Sequence, residues 1–152
     1  MQEFILSRTD QPPAKITATQ IGIARSSNAA PVSGEIPPGG RQAFWIVLYL
    51  LASAKIVAHV MYRAGSQLGR EEPVDDVVVG LNAADLMAKL TALDGAEFVT
   101  GWPEYGEPAV NRGRDFRPQH ESVMRHGRKQ LVEAVADAGQ ILRTDPAPVE
   151  IV

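Results

Sequence analysis

The chain has no cysteine. That excludes thiol nucleophiles, thiolate-bound zinc, iron–sulfur clusters and every disulfide, so the fold has to stand on its core alone. The familiar catalytic signatures are missing too. There is no G-x-G-x-x-G and no G-x-x-x-x-G-K-[ST] to cradle phosphates, no serine in G-x-S-x-G, and no H-E-x-x-H. The first residues, Met-Gln-Glu-Phe-Ile-Leu-Ser-Arg, have no basic segment followed by a long apolar one, so they do not read as a secretory signal. Lysine is scarce: arginine outnumbers it eleven to four, which favours bidentate pairing with anions. No cofactor is expected.

What is present suits one domain. A chain of 152 residues can bury roughly two-thirds of its unfolded surface and needs no staple. The net charge is only −3, but it is unevenly spread. Residues 1–70 carry seven bases against three acids, a net of +4. Residues 71–107 carry nine acids against Lys89, a net of −8, and residues 108–130 carry six bases against two acids, again +4. This basic–acidic–basic order suits either nucleic-acid contact or the attraction of one protomer's surface to a different surface of its neighbour.

Residues 3–7 and 15–24 read as strands, the first ended by Asp10-Gln11-Pro12-Pro13. Residues 26–40 are rich in Ser, Pro and Gly and read as a long loop or arm. The apolar run 43–62 has three readings. Its length fits a membrane span, but Lys55 and His59 are expensive in hydrocarbon. As a soluble helix, Lys55, His59 and Arg63 form a polar stripe at every fourth position. As two strands broken at Ala52-Ser53-Ala54, the same three residues share one face of the second strand. Composition favours strands, since Phe44, Trp45, Ile46, Val47, Tyr49, Ile56, Val57 and Val60 are aromatic or β-branched. The weak turn residues argue against a hairpin. The segment is read as the core of a soluble fold with one polar edge.

Next comes a β–α–β pattern. Val77-Val78-Val79 is a strand and Gly80 a break. Asn82 is a helix N-cap, followed by Ala83, Leu86, Met87, Leu90 and Leu93 at helical spacing, with an Asp85–Lys89 pair. Asp94-Gly95 stops the helix, and Glu97-Phe98-Val99-Thr100 is a strand. From about 119 to 142 runs a long helix with the stripe Met124, Leu131, Val135, Ala138 and Leu142, weakened by Gly127 and Gly139. The expected fold class is therefore α+β. It has N-terminal strands, a central β–α–β unit at about 76–100 and a long C-terminal helix packed on a sheet, all in a single domain over 1–152 with an extended tail at 144–152.

Candidate sites are few. Gly80 sits where nucleotide-binding βα turns carry glycine, but one glycine is ordinary turn chemistry. His120 and His126 are six residues apart on a helix, at about 100° per residue, so their rings diverge and no metal is expected. Glu71, Glu72, Asp75 and Asp76 form an acidic loop interrupted by Pro73, either a solvated run or an acidic partner surface. The strongest constellation is basic: Arg112, Arg114, Arg117, His120, Arg125, Arg128 and Lys129. Bases in the first turns of a helix oppose its dipole and invite an anion or an acidic protein face. Trp102 and Tyr105 are aromatic interface candidates.

The leading expectation is a non-enzymatic assembly protein, a homo-oligomer or a subunit of a larger complex such as a viral particle. It would sit in the cytoplasm or in a virion and use the acidic and basic surfaces to find its partners. The alternatives are a small enzyme or binding protein for an anionic ligand, phosphate or nucleic acid, using the 112–129 region, and a membrane-complex subunit spanning at 43–62.

Overall fold

A computed structural model describes residues 1–38, 41–65, 73–99, 110–111, 114–115 and 117–144; for 110–120 and 144 it describes backbone only. The elements in order are β1 (Gln2–Arg8), β2 (Gln11–Arg25), β3 (Gln42–Leu51), β4 (Ile56–Ala64), β5 (Val74–Gly80), α1 (Ala83–Thr91), a 3-10 turn (Gly95–Phe98), the short pair β6 (Val110–Asn111) and β7 (Arg114–Asp115), and α2 (Arg117–Thr144). Strands β1 to β5 form one antiparallel sheet in chain order. The fold is α+β, a curled sheet with helices on one face.

The apolar run 43–62 forms two strands, β3 and β4, paired from Gln42↔Ala64 to Leu50↔Ile56. Both helical readings of it are thereby corrected. No helix among the described residues is long and apolar enough to cross a membrane. The run is continuous because both faces of the hairpin are buried, and strands buried on both sides lose the polar alternation. On one face Phe44, Ile46, Leu48, Ala58, Val60 and Tyr62 pack under Leu86, Leu90, Phe98, Leu131, Ala134 and Ala138. On the other, Trp45, Val47, Tyr49, Val57 and Met61 meet Leu6 and Ala18 as the sheet curls over itself. Of the three polar residues in the second strand's pattern, His59 and Arg63 lie on this inner face of β4, while Lys55 sits exposed in the hairpin turn.

The curl has identifiable causes. The register shifts between Leu6 and Arg8 in the β1–β2 pair and between Gln20 and Gly22 in the β2–β3 pair, and irregularities of this kind add twist and bend a strand. Pro12 and Pro13 were expected to end a strand. They lie inside the start of β2, next to the first of these irregularities, where no regular ladder donor is required.

After β5 the chain leaves through Gly80, where a Cβ would come within 2.5 Å of Leu86 Cβ; only a bare backbone lets α1 lie this close. Asn82 caps α1 by accepting from Asp85 N at 2.8 Å, and Lys89 reaches Asp85 at 3.3 Å, as the sequence pattern indicated. The second strand of the expected β–α–β unit does not form. Residues 95–98 make a 3-10 turn, with Asp94 Oδ1 accepting from Ala96 N at 3.0 Å. The reason is packing. Phe98 is inserted under α2 with its ring edge-on to Phe44 at 5.3 Å, so it plugs the helical layer instead of joining the sheet. Gly127 admits this contact, because a Cβ there would lie 2.9 Å from Val99 Cγ2. The helix at 119–142 is α2, somewhat longer at each end.

Candidate functional site

Where β1 closes over β5, a cluster of Ser7, His59, Asp75 and Arg63 carries the residue types of a hydrolytic triad. Its wiring is that of a latch. Ser7 Oγ donates to Asp75 Oδ2 at 2.6 Å, so the hydroxyl proton is directed to a carboxylate and away from the imidazole. His59 Nε2 lies 2.8 Å from the Ser7 carbonyl oxygen, an acceptor, which requires the proton on Nε2. That nitrogen is 3.5 Å from Ser7 Oγ and in this tautomer cannot take its proton. Asp75 is committed as well: Arg63 Nη1 donates to its Oδ1 at 2.7 Å, both side chains being mostly buried. Two backbone links complete the seam, Thr9 N to Asp75 O at 2.9 Å and Asp75 N to Thr9 Oγ1 at 2.8 Å.

The candidates from sequence divide into three groups. Glu71, Glu72, Trp102, Tyr105 and Arg112 lie outside the described residues. Arg114 falls in β7, and Arg117 and His120 in the first turns of α2, with backbone alone described. The remainder are placed in full. Asp75 is the latch acid, and Asp76 Oδ1 accepts from the neighbouring Val77 N at 2.8 Å. Arg128 pairs with Asp94 at 2.9 Å across to the 3-10 turn. That hydrogen bond holds the Asp94 carboxyl below, and the Arg128 guanidinium above, their ordinary pKa values. Arg125 and Lys129 are exposed on α2.

Sequence reasoning missed a polar ladder along α2. Three side chains on one face of the helix accept backbone N–H groups from the chain leaving β2. Asp137 Oδ2 takes Arg25 N at 3.0 Å, Glu133 Oε1 takes Ser27 N at 2.9 Å, and Gln130 Oε1 takes Asn28 N at 3.2 Å. Hydrogen bonding to Ser27 holds the Glu133 carboxyl below its usual range, against the opposing effect of burial. The ladder is extended inward: Gln130 Nε2 donates to Ser27 Oγ at 3.0 Å and Asn28 Nδ2 to Gln42 O at 3.1 Å. Gln42 Nε2 donates to Tyr62 OH at 3.0 Å and Val123 O at 3.1 Å. Each of these amides is unremarkable alone in the sequence, and only the fold gathers them. Above them opens a cleft of about 310 Å³ walled by Arg41, His126 and Lys129.

The sheet also keeps open rims. Among the described residues no strand pairs with the outer edge of β1 or of β5, which hydrogen-bond to each other only around Asp75. Ile5, mid-strand in β1, is 71% exposed, and Val79 and Leu81 are exposed at the far end of β5. The triplet Phe4-Ile5-Leu6 was a legible signal. In a strand that turns a half-buried Phe4 and a buried Leu6 to the core, the residue between must point out. Among the described residues no three His, Asp or Glu side chains come together as metal ligands. No family model, curated protein or solved structure matches the chain.

Proposed function

We propose that this chain is a non-enzymatic assembly subunit that pairs edge to edge with further copies of itself, as part of an oligomer or a larger particle. The observation that carries this reading is the open rim of the curled sheet. β1 and β5 meet at one seam, and among the described residues the rest of their outer edges has no partner strand, with Ile5 exposed on β1, Val79 on β5 and Leu81 just beyond it. An unprotected edge is a template for a further strand, since its N–H and C=O groups already point outward at ladder spacing. A depression of about 580 Å³ lined by Met1, Phe4, Ala18 and Gln20 lies between the start of β1 and β2 and offers room for a neighbour's side chains. The latch wiring of Ser7, His59 and Asp75 supports a structural role for the cluster in place of a catalytic one.

Association of this kind is driven by backbone pairing and aliphatic contact, with charge steering the approach. Sedimentation equilibrium over a range of protein concentrations at low and high salt tests it. The expected result is a mass above the 16.4 kDa of one chain that depends on concentration and persists at high salt. Ile5→Lys, which places a charge on the rim, should shift the equilibrium to the monomer. A monomer under every condition rules the reading out.

A further inference from the structure

We infer that the cleft between the start of β3 and α2 is a binding site for a small phosphate ester, independent of the open sheet edges. Its floor is built before any ligand arrives. Gln42 and Gln130 are 3% and 6% exposed, and their amides are fixed by the hydrogen bonds to Tyr62, Val123, Ser27 and Asn28 described above. Such a network holds its members in one geometry, so the floor itself needs no further ordering when a ligand arrives.

On that floor stand three nitrogen-bearing side chains from two parts of the chain. Arg41 comes from the loop before β3, and His126 and Lys129 are successive positions on one face of α2. Among the described residues none of the three has a carboxylate within ion-pair distance. The neighbouring acid, Glu133, is turned to Ser27 N and Gln130 Nε2, where its charge is already hydrogen-bonded. Elsewhere on this helix a base is internally matched, as Arg128 is with Asp94. Glu133 still feels the charge of Lys129 one turn away, but among the described residues it makes no ion pair with it and Arg41 faces no acid at all, so the cleft keeps a surplus of basic groups.

The chemistry of the walls selects the ligand. A guanidinium offers a planar fork for two oxygens, and an ammonium and an imidazole approach from other directions. A tetrahedral dianion has oxygens facing each of them, whereas a planar carboxylate satisfies one fork. The volume of about 310 Å³ admits a phosphate and a short polar substituent, not a polymer. The lining of Ser27, Asn28 and the two glutamines suits hydroxyl groups on that substituent. Nucleic acid, which needs an extended basic track, is disfavoured because Arg128 is already engaged.

The test is calorimetric titration of the full chain with glycerol 3-phosphate and, in parallel, inorganic phosphate, succinate and a single-stranded oligonucleotide. Arg41→Gln and Lys129→Gln, both at exposed positions, are titrated beside it after their thermal unfolding has been matched to the parent. The expected result is one saturable site for glycerol 3-phosphate, weakened at least about tenfold in each variant, as the loss of one charge-assisted hydrogen bond implies. The His126 imidazole resonances should shift on titration. No saturation by about 10 mM ester overturns the inference, since sites weaker than about 1 mM confer little occupancy. So does binding that both variants leave intact, equal affinity for succinate, or binding of the oligonucleotide alone.

Discussion

Ala54 occupies the left-handed region, with φ of 71°, in the turn that joins β3 to β4. Leu51 N donates to Lys55 O at 2.9 Å and Ala54 N to Leu51 O at 3.0 Å, so the turn is well bonded in spite of its residues. A Cβ in this conformation costs about 1–2 kcal/mol. Replacing it with glycine relieves that strain, offset in part by the unfolded chain's added freedom. Ala54→Gly should therefore stabilise the protein by about 0.5–1 kcal/mol, read as a higher denaturant midpoint at unchanged slope. This residue also explains why the hairpin was hard to read. Ala52-Ser53-Ala54 offers none of the turn chemistry that marks a hairpin, and that argued against one. Burial of both strands on both faces overrides the turn's own preference, and burial of that kind is not a local property of the sequence.

Among the elements, α2 was the most legible and its partner surface the least. The apolar stripe through Leu131, Val135 and Ala138 is periodic and belongs to the core. The polar ladder on the same helix is invisible beforehand, because its donors are backbone groups of residues 25–28. The β–α–β reading failed for a related reason. Asn82, Asp85 and the leucine spacing specify a helix after a strand. They do not say whether the segment that follows rejoins the sheet, and Phe98 is better buried beneath α2. The ladder gives a pH dependence. The Glu133 and Asp94 carboxyls are both lowered, the first mainly by Ser27 and the second mainly by Arg128. A carboxyl lowered in the folded state adds stability that is present above its unfolded pKa and fades as pH falls toward the folded value. Acidification through and below the ordinary Asp and Glu range should thus loosen α2 from the end of β2 and from the 3-10 turn. Amide hydrogen exchange at Ser27 and Ala96 should lose protection first, and in Glu133→Gln the Ser27 component should no longer depend on pH.

For the molecule as a whole, closure of the sheet depends on the Asp75 seam. Loss of the carboxylate charge leaves Arg63 buried without its counter-ion and weakens the Ser7 bond to the same group. Breaking a largely buried pair from one side costs about 3–5 kcal/mol, whereas replacing both partners with apolar groups costs much less. Asp75→Asn should accordingly be far less stable than Arg63→Met/Asp75→Leu by equilibrium urea unfolding. Equal losses would show that the pair does not hold the seam. Asp75 was visible in the sequence only as one of four neighbouring acids, and His59 and Arg63 only as a polar face. That these meet across strands distant in sequence follows from the curl, which the register irregularities produce and no periodicity records.

The doubly buried hairpin has a consequence for the way the protein is made. β3 and β4 leave the ribosome well before α2, the helix that roofs one of their faces. For that interval Phe44, Ile46, Leu48 and Val60 are presented to solvent as an apolar sheet of the kind that chaperones grip and that stray strands join. The longer the interval between β4 and α2 during synthesis, the longer that face stays uncovered.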